Sequence, residues 1–357
     1  MRKYILKRLL LIPLTLLGIL VVNFAIIQLA PGGPVEYMLA KYQGMNTDSK
    51  AQFTSGAEAL SAAKNSQYQG AQGVPEDLIE ELNKQFGFDK PMGARFWKMV
   101  KDYARFDFGK SYYQDKSVTT LIWERMPVSV SLGLWSTLII YLIAIPLGIK
   151  KALYDGTKFD VWTTVSVIVG SAIPVFLFAV FLIVFFAGGT YFQIFPLRGL
   201  TSDDFEKLSM LGKVKDYFWH IALPVFSIVV GGFAGLTMLT KNSFLDEIGK
   251  QYVLTARAKG LSEKDILYKH VFRNAMLIII AGFPSVLIKM LFTGSVLIEV
   301  VFSLNGLGLL GYEAIMTRDY PVIFGTLYIF ALLGLILKLI SDLTYSIVDP
   351  RINFEKI

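Results

Sequence analysis

The sequence predicts an all-α polytopic membrane protein with six transmembrane helices and a large loop on the outer side of the membrane. Three observations carry this expectation. Of 357 residues, 54% are hydrophobic and only 18% are charged, against about 25% charged in an ordinary soluble domain. Six stretches are apolar over the roughly 20 residues that a spanning helix needs. Once those stretches are threaded through a bilayer, the basic excess falls on one side. The absence of cysteine excludes disulfides, thiolate nucleophiles and Cys-ligated zinc. The two histidines, His220 and His270, are far apart, which argues against a His-rich metal site.

The first stretch, Leu9–Ala30, carries no formal charge and follows Arg2, Lys3, Lys7 and Arg8. A signal peptide would look similar, but its apolar core is usually ~7–15 residues long. The stretch ends Gln28-Leu29-Ala30-Pro31 without an A-x-A site, so it reads as an uncleaved helix. Val128–Ile149, Val161 to about Ala187, and His220–Thr240 are also uncharged. Ala275–Phe302 contains only Lys289 and Glu299, and Val322–Val348 only Lys338 and Asp342. Six such stretches make the buried helices of a large soluble protein a poor alternative.

Orientation follows from charge. With the N-terminus inside, the inner segments 1–8, 150–160, 240–274 and 349–357 hold 16 Lys and Arg against 8 Asp and Glu. The outer loop 31–127 holds 12 of each. Basic residues therefore gather on the cytoplasmic side, as the positive-inside rule requires. No aromatic–basic module points to nucleic acid. The expected organisation is a cytoplasmic N-terminus and first span (1–30), a loop on the outer side (31–127), a transmembrane core (128–349) and a cytoplasmic tail (350–357). The core includes a cytoplasmic loop at 240–274.

Within the outer loop, 41–73 is poor in bulky apolar residues; Gln, Ser, Gly and Ala supply 19 of its 33 positions. It reads as a flexible insertion. Pro75-Glu76-Asp77 resembles a helix start, with Leu78, Ile79, Leu82 and Phe86 following at helical spacing. A second helix carries Phe96, Trp97, Met99, Val100 and Tyr103 among basic residues. It fits either a helix at the membrane interface or part of a small cap packed on itself.

The loop 240–274 is too polar to enter the bilayer. Tyr252, Thr255, Ala256, Lys259 and Gly260 fall at helical spacing, and Ser262 can cap a second helix, with Asp265 at the capping-box position. Two short helices broken at Gly260 would form an elbow, either a docking surface for a soluble partner or a plain connector.

Two near-matches to nucleotide motifs fail on context. Gly306-Leu-Gly308-Leu-Leu-Gly311 lies between two spans rather than between a strand and a helix, and its glycines suit a tight turn better. Ala104–Ser111 approaches a P-loop but begins with alanine and follows no strand. No G-x-S-x-G, H-E-x-x-H or paired-carboxylate pattern stands out, so the chain does not read as an enzyme.

The run Tyr252-Val-Leu-Thr-Ala-Arg-Ala-Lys-Gly260-Leu-Ser resembles the cytoplasmic "EAA" loop of binding-protein-dependent ABC importer permeases, in its peptide-permease version. Further matches are Leu29-Ala-Pro-Gly-Gly-Pro34, Asp107-Phe-Gly-Lys-Ser111 and Glu299-Val-Val-Phe-Ser-Leu-Asn-Gly-Leu-Gly308. Arg318-Asp-Tyr-Pro321 and the tail from Asp342 to Arg351 complete the set. Together, in family order, they resemble the first permease subunit of dipeptide and oligopeptide importers. The insertion 41–73 and the run Leu239–Glu247 look most like the Yej-type permeases, associated with oligopeptide and microcin C import. One departure stands out: the glutamate and first alanine of the general loop pattern fall on Leu254 and Thr255.

The resemblance implies an ABC type I importer permease architecture in the bacterial inner membrane, with both termini cytoplasmic. It implies a second homologous permease as heterodimer partner, a cytoplasmic ATP-binding protein and a periplasmic solute-binding protein that delivers peptide. ATP would be hydrolysed by the partners, with no cofactor in this chain; the Yej resemblance suggests that the two ATPase domains are fused. Thr255, Ala256, Arg257, Ala258, Lys259, Gly260, Leu261 and Ser262 would form the ATPase-coupling segment. Arg257 and Lys259 would offer charge contacts and Gly260 the bend.

Intramembrane charge gives a further expectation. An ion in mid-membrane costs at least ~2.5 kcal/mol, so Lys289 should face protein or water. It reads either as lining the peptide pathway, where it would meet a substrate carboxylate, or as a structural or interface pair. Lys338 and Asp342 are spaced to pair with each other, and Glu299 is expected near the outer surface. The Gly231/Gly235 pair suits close helix approach, toward a partner permease or within the chain. Pro146, Pro174 and Pro284 can kink their helices. Two rivals remain at this stage: a nickel or metal-chelate importer permease of the same architecture, and an ATP-independent secondary transporter, which would favour inverted repeats.

Overall fold

The computed structural model describes residues 2–29, 90–187, 191–293 and 296–348. The insertion 41–73, the helix start at Pro75 and the tail 350–357 lie outside the described residues. The helices in chain order are α1 (Arg2–Leu29), α2 (Met92–Ala104), α3 (Val118–Leu153), α4 (Lys158–Ala172), α5 (Val175–Phe186) and α6 (Met210–Ile248). They continue with α7 (Gln251–Ala258), α8 (Phe272–Thr293), α9 (Val296–Val301), α10 (Leu307–Thr317) and α11 (Tyr320–Val348). Two compact units result. One draws on 2–6, 125–309 and 334–348, the other on 7–29, 90–124 and 310–333.

The fold is all-α and polytopic. α1, α3, α6, the segment Glu263–Pro284 and α11 are each long and apolar enough to cross a membrane, and the pair α4–α5 makes a sixth crossing if counted as one span. That third stretch is not a straight helix: α4 and α5 meet at 88°. The cause is local. Ile173 takes an extended backbone, ψ 122°, because the Pro174 ring crowds the residue before it. Pro174 also lacks the N–H needed to continue α4. Pro146 and Pro284, by contrast, lie inside continuous helices.

In the larger unit, α4, α5 and α8 all pack along α6. The core joins Leu132, Ile140 and Ala144 of α3 to Ala179 and Leu182 of α5, and to Ile221, Val225 and Val229 of α6. Lipid is as apolar as these side chains, so close fit rather than hydrophobic drive holds such helices together. Gly231 shows the fit: a Cβ there would collide with Val175 of α5. Gly235 has open space instead. Gly231 therefore serves packing inside this chain.

In the smaller unit, α2 is the aromatic helix the sequence predicts. Its Phe96 ring lies edge-on to Phe24 of α1, 5.4 Å between centroids. Its Tyr103 is buried against Phe108 and Tyr328, at 4.9 and 5.4 Å. One face of α2 thus packs on its own chain, while Trp97 stays 60% exposed.

Candidate functional site: the elbow and the buried charge clusters

The elbow begins where α6 ends at Gly249. α7 presses Val253 and Ala256 into a core made with Phe244 of α6 and with Ile266, Leu267, Val271 and Met276 beyond the turn. Ala256 therefore faces the chain's own interior. Thr255, Arg257, Ala258, Lys259, Gly260, Leu261 and Ser262 are exposed.

The turn itself is closed on both sides. Gly260 sits at φ +79°, a left-handed backbone that costs other residues about 1–2 kcal/mol. Its N–H donates to the Arg257 carbonyl at 2.9 Å, and the Leu261 N–H to the Ala256 carbonyl at 3.3 Å. These two bonds make the Schellman helix ending, which wants glycine at this position. Ser262 Oγ then accepts from the Asp265 N–H at 3.1 Å, starting a short turn, Glu263–Asp265. A π-helical segment, Ile266–Val271, carries the chain into α8.

Arg257 reaches across this turn to Glu263, with Nε–Oε1 at 2.7 Å and Nη2–Oε2 at 2.9 Å. An exposed pair adds little stability, but its two-pronged geometry gives the contact a defined orientation across the turn. Lys259 makes no ion pair among the described residues. The outer face of the elbow also carries apolar side chains: Leu254 is 54% exposed, Leu261 40% and Tyr268 58%. Sequence reasoning placed Leu261 in the candidate segment and noted Leu254 only as a departure from the loop pattern; it did not name Tyr268. The available signal was phase, since Leu254 is adjacent to the buried Val253 and so turned away from it.

A second cluster was invisible as a cluster. Lys151, at the end of α3, is fully buried. Its ammonium pairs with Asp160 Oδ1 at 2.8 Å and donates to the Thr163 and Thr164 hydroxyls at 3.0 and 2.5 Å. Lys241 of α6 bridges Asp160 Oδ2 and Asp155 Oδ1, both at 2.7 Å. Charge counting treats these lysines as markers of sidedness; in the structure they knot the ends of α3, α4 and α6.

Glu299, expected near the outer end of its span, is fully buried by protein on α9. Its carboxylate accepts from Ser129 Oγ at 3.0 Å and from the Leu309 N–H at 2.6 Å. Ser129 Oγ accepts in turn from the Leu307 N–H at 2.8 Å. Gly306 leaves the space: a Cβ there would lie 2.6 Å from Glu299 Oε2 and closer still to Oε1. Lys338 and Asp342 do meet, at 3.6 Å, and Tyr4 adds a hydrogen bond to Asp342 at 2.8 Å. Lys289 lies on α8, but its side chain is outside the described residues.

Two of the sequence motifs join in the smaller unit. Ser111 Oγ donates to Asp319 Oδ2 at 2.5 Å, and the Tyr112 N–H donates to Oδ1 at 3.3 Å. Burial pushes the Asp319 carboxyl above its ordinary range, and these donors offset part of that rise. A carboxyl raised by folding supports the fold below its ordinary pKa of 3.8, and that support is lost as pH climbs through the raised value. The thermal midpoint of the purified chain should therefore fall as pH rises from 3.8 to the raised value and level off above it. Asp319→Asn, which keeps an acceptor for Tyr112, should flatten the slope; an unchanged slope would contradict the burial argument.

The family model for the binding-protein-dependent transport system inner membrane component matches residues 144–354, which include the elbow and Glu299. The chain is 58% identical over 362 residues to the inner membrane ABC transporter permease protein YejB of Escherichia coli O157:H7, covering 99% of this chain and 100% of that one. It is 54% identical over 361 residues to the peptidoglycan transport system permease protein YejB of Agrobacterium fabrum, covering 100% and 99%. It is 33% identical over 355 residues to the oligopeptide transport system permease protein AppB of Bacillus subtilis, covering 99% and 100%.

Proposed function

This chain belongs to the family of binding-protein-dependent transport system inner membrane components, and from that premise we propose that it forms half of an ATP-driven peptide import pathway. A second, homologous permease supplies the other half. A cytoplasmic ATP-binding protein, with its two ATPase domains fused or separate, grips the elbows, and a periplasmic binding protein delivers the peptide. Both termini lie in the cytoplasm. The peptide class is supported by relatives named for oligopeptide and peptidoglycan transport.

The observation that carries this reading is the elbow. Its Leu254 and Leu261 are exposed apolar side chains on the polar turn between α6 and the next span, and they suit a groove on a soluble partner. Behind them, Val253 and Ala256 are wedged between the end of α6 and the start of α8. The glycine turn and the Arg257–Glu263 clamp keep the two arms from folding independently. When the ATPase domains close on ATP, a push on the elbow is passed to α6 and α8 together, and the pathway opens outward; hydrolysis resets it. Lys289 on α8 lines the pathway and meets the substrate carboxylate. If Lys289→Ala carried peptides with the parent's rate and range, that last role would be abandoned.

The test of the function is uptake into liposomes holding both permeases and the ATP-binding protein, with binding protein outside. Peptide should enter only with ATP and binding protein present. Leu254→Glu combined with Leu261→Glu should lower uptake at least about a hundredfold, because burying a carboxylate in an apolar groove costs several kcal/mol. Uptake that persists without ATP, or is untouched by the paired substitution, would overturn the reading.

A further inference from the structure

Helix α2 has two different faces. Phe96, Met99 and Tyr103 turn inward, and Lys98, Lys101 and Arg105 form an exposed stripe with exposed Trp97 on its flank. Trp97, Lys101 and Arg105 succeed each other at four-residue spacing and so share one row of the helix. None of the three basic residues makes an ion pair among the described residues, and half-buried Asp102 sits at the edge of the stripe. Nearby lysines behave otherwise: Lys116 pairs with Glu124 at 2.8 Å, and Lys110 lies 4.0 Å from Asp115. The stripe is a cationic surface without an ion pair among the described residues.

One contact ties α2 to the end of the apolar stretch of α1. Phe96 packs on Phe24, and the apolar span of α1 ends at Ile27. At 1.5 Å per residue, Phe24 lies within about 5 Å of the end of that span. Trp97, next to Phe96, thus stands beside the end of an apolar stretch, a place that suits an indole ring between acyl chains and headgroups. Lys98, Lys101 and Arg105 on the same helix would then meet headgroups, where Lys and Arg attract anionic lipid.

We propose that α2 is a lipid-headgroup site, in which Lys98, Lys101 and Arg105 hold the phosphates of anionic phospholipid in the outer leaflet and Trp97 anchors the helix at the interface. The surface would fasten the outer segment to the bilayer whatever the chain transports, so the proposal stands apart from the peptide reading. The contact with Phe24, beside the end of the apolar stretch, favours lipid over an acidic protein surface.

The transport complex would be placed in nanodiscs of mixed phosphatidylglycerol and phosphatidylcholine. Lipid retained on the complex would be counted by native mass spectrometry. The parent should retain phosphatidylglycerol preferentially, and Lys98→Gln, Lys101→Gln and Arg105→Gln together should reduce that preference about tenfold or more. Lys110→Gln with Lys116→Gln should leave it intact, and inorganic phosphate should not compete. Because the chain has no cysteine, a nitroxide on Ala94→Cys reports the exposed face of α2 alone. It should be shielded from an aqueous nickel chelate in phosphatidylglycerol discs and open in pure phosphatidylcholine. Equal lipid retention by parent and triple variant would overturn the proposal. Shielding that is unchanged in phosphatidylcholine, or that arises only when binding protein is added, would assign the stripe to a protein contact and overturn it too.

Discussion

Gly306→Ala is expected to remove most of the folded chain from the membrane. The methyl group would enter the space of a fully buried carboxylate, within 2.6 Å of Glu299 Oε2 and nearer Oε1. That carboxylate cannot step aside freely, because Ser129 Oγ and the Leu309 N–H hold it at 3.0 and 2.6 Å. Overpacking a tight site commonly costs about 1–3 kcal/mol, and breaking hydrogen bonds to a charged group adds about 1.5–3 kcal/mol. Membrane extracts should contain far less monodisperse protein, and the residue that survives should melt well below the parent. Glu299→Ala alone should also destabilise, since Ser129 and Leu309 lose their acceptor. The informative result is the double variant. With Glu299 already shortened, Gly306→Ala should cost little more, giving a large coupling between the two positions. Additive losses would mean that Glu299 does not occupy the space beside Gly306.

The second large effect concerns Asp160, and it is an asymmetry. Asp160→Ala leaves the fully buried Lys151 without its carboxylate and close to a second ammonium, Lys241. An unpaired buried charge is among the few causes of severe destabilisation. Lys151→Met is milder, because Asp160 keeps Lys241 at 2.7 Å and the Gly156 N–H at 3.3 Å. The long methionine side chain also fills the space that the lysine stem leaves. The yield of folded protein should therefore rank parent, then Lys151→Met, then Asp160→Ala. Adding Lys151→Met to Asp160→Ala should recover part of the loss. The reverse ranking would show that these groups are solvated rather than knotted together.

The spans were legible because lipid tolerates no other solution: a helix must stay apolar over about 20 residues, and that is a property of consecutive residues. The glycine break of the elbow and the Ser262 cap were legible for the same reason, since both are local. Tertiary partners were not. Glu299 looked like a residue at the end of its span, and only folding brings Ser129 beside it. Lys151 and Lys241 read as inner-side charges because a charge count has no term for Asp160 lying between them. Ser111 and Asp319 each sat in a recognisable motif, yet nothing in either motif says that they touch. Pro174 announced a bend, but its 88° size depends on Ile173 turning fully extended before it. Arg257, expected to offer its charge to a partner, is clamped to Glu263 within the elbow.

The central claim is that the exposed face of α7 is gripped by an ATP-binding protein. The chain's lack of cysteine makes a direct test simple. Leu254→Cys and Val253→Cys would be introduced separately into the assembled complex and treated with a short thiol-to-amine cross-linker. Leu254→Cys should join to the ATP-binding protein, and the link should stop peptide uptake. Its neighbour Val253→Cys, buried in the chain's own core, should not join. If Leu254→Cys stays unlinked in a complex that still imports peptide with ATP, or if both positions link equally, the coupling assignment of the elbow is contradicted.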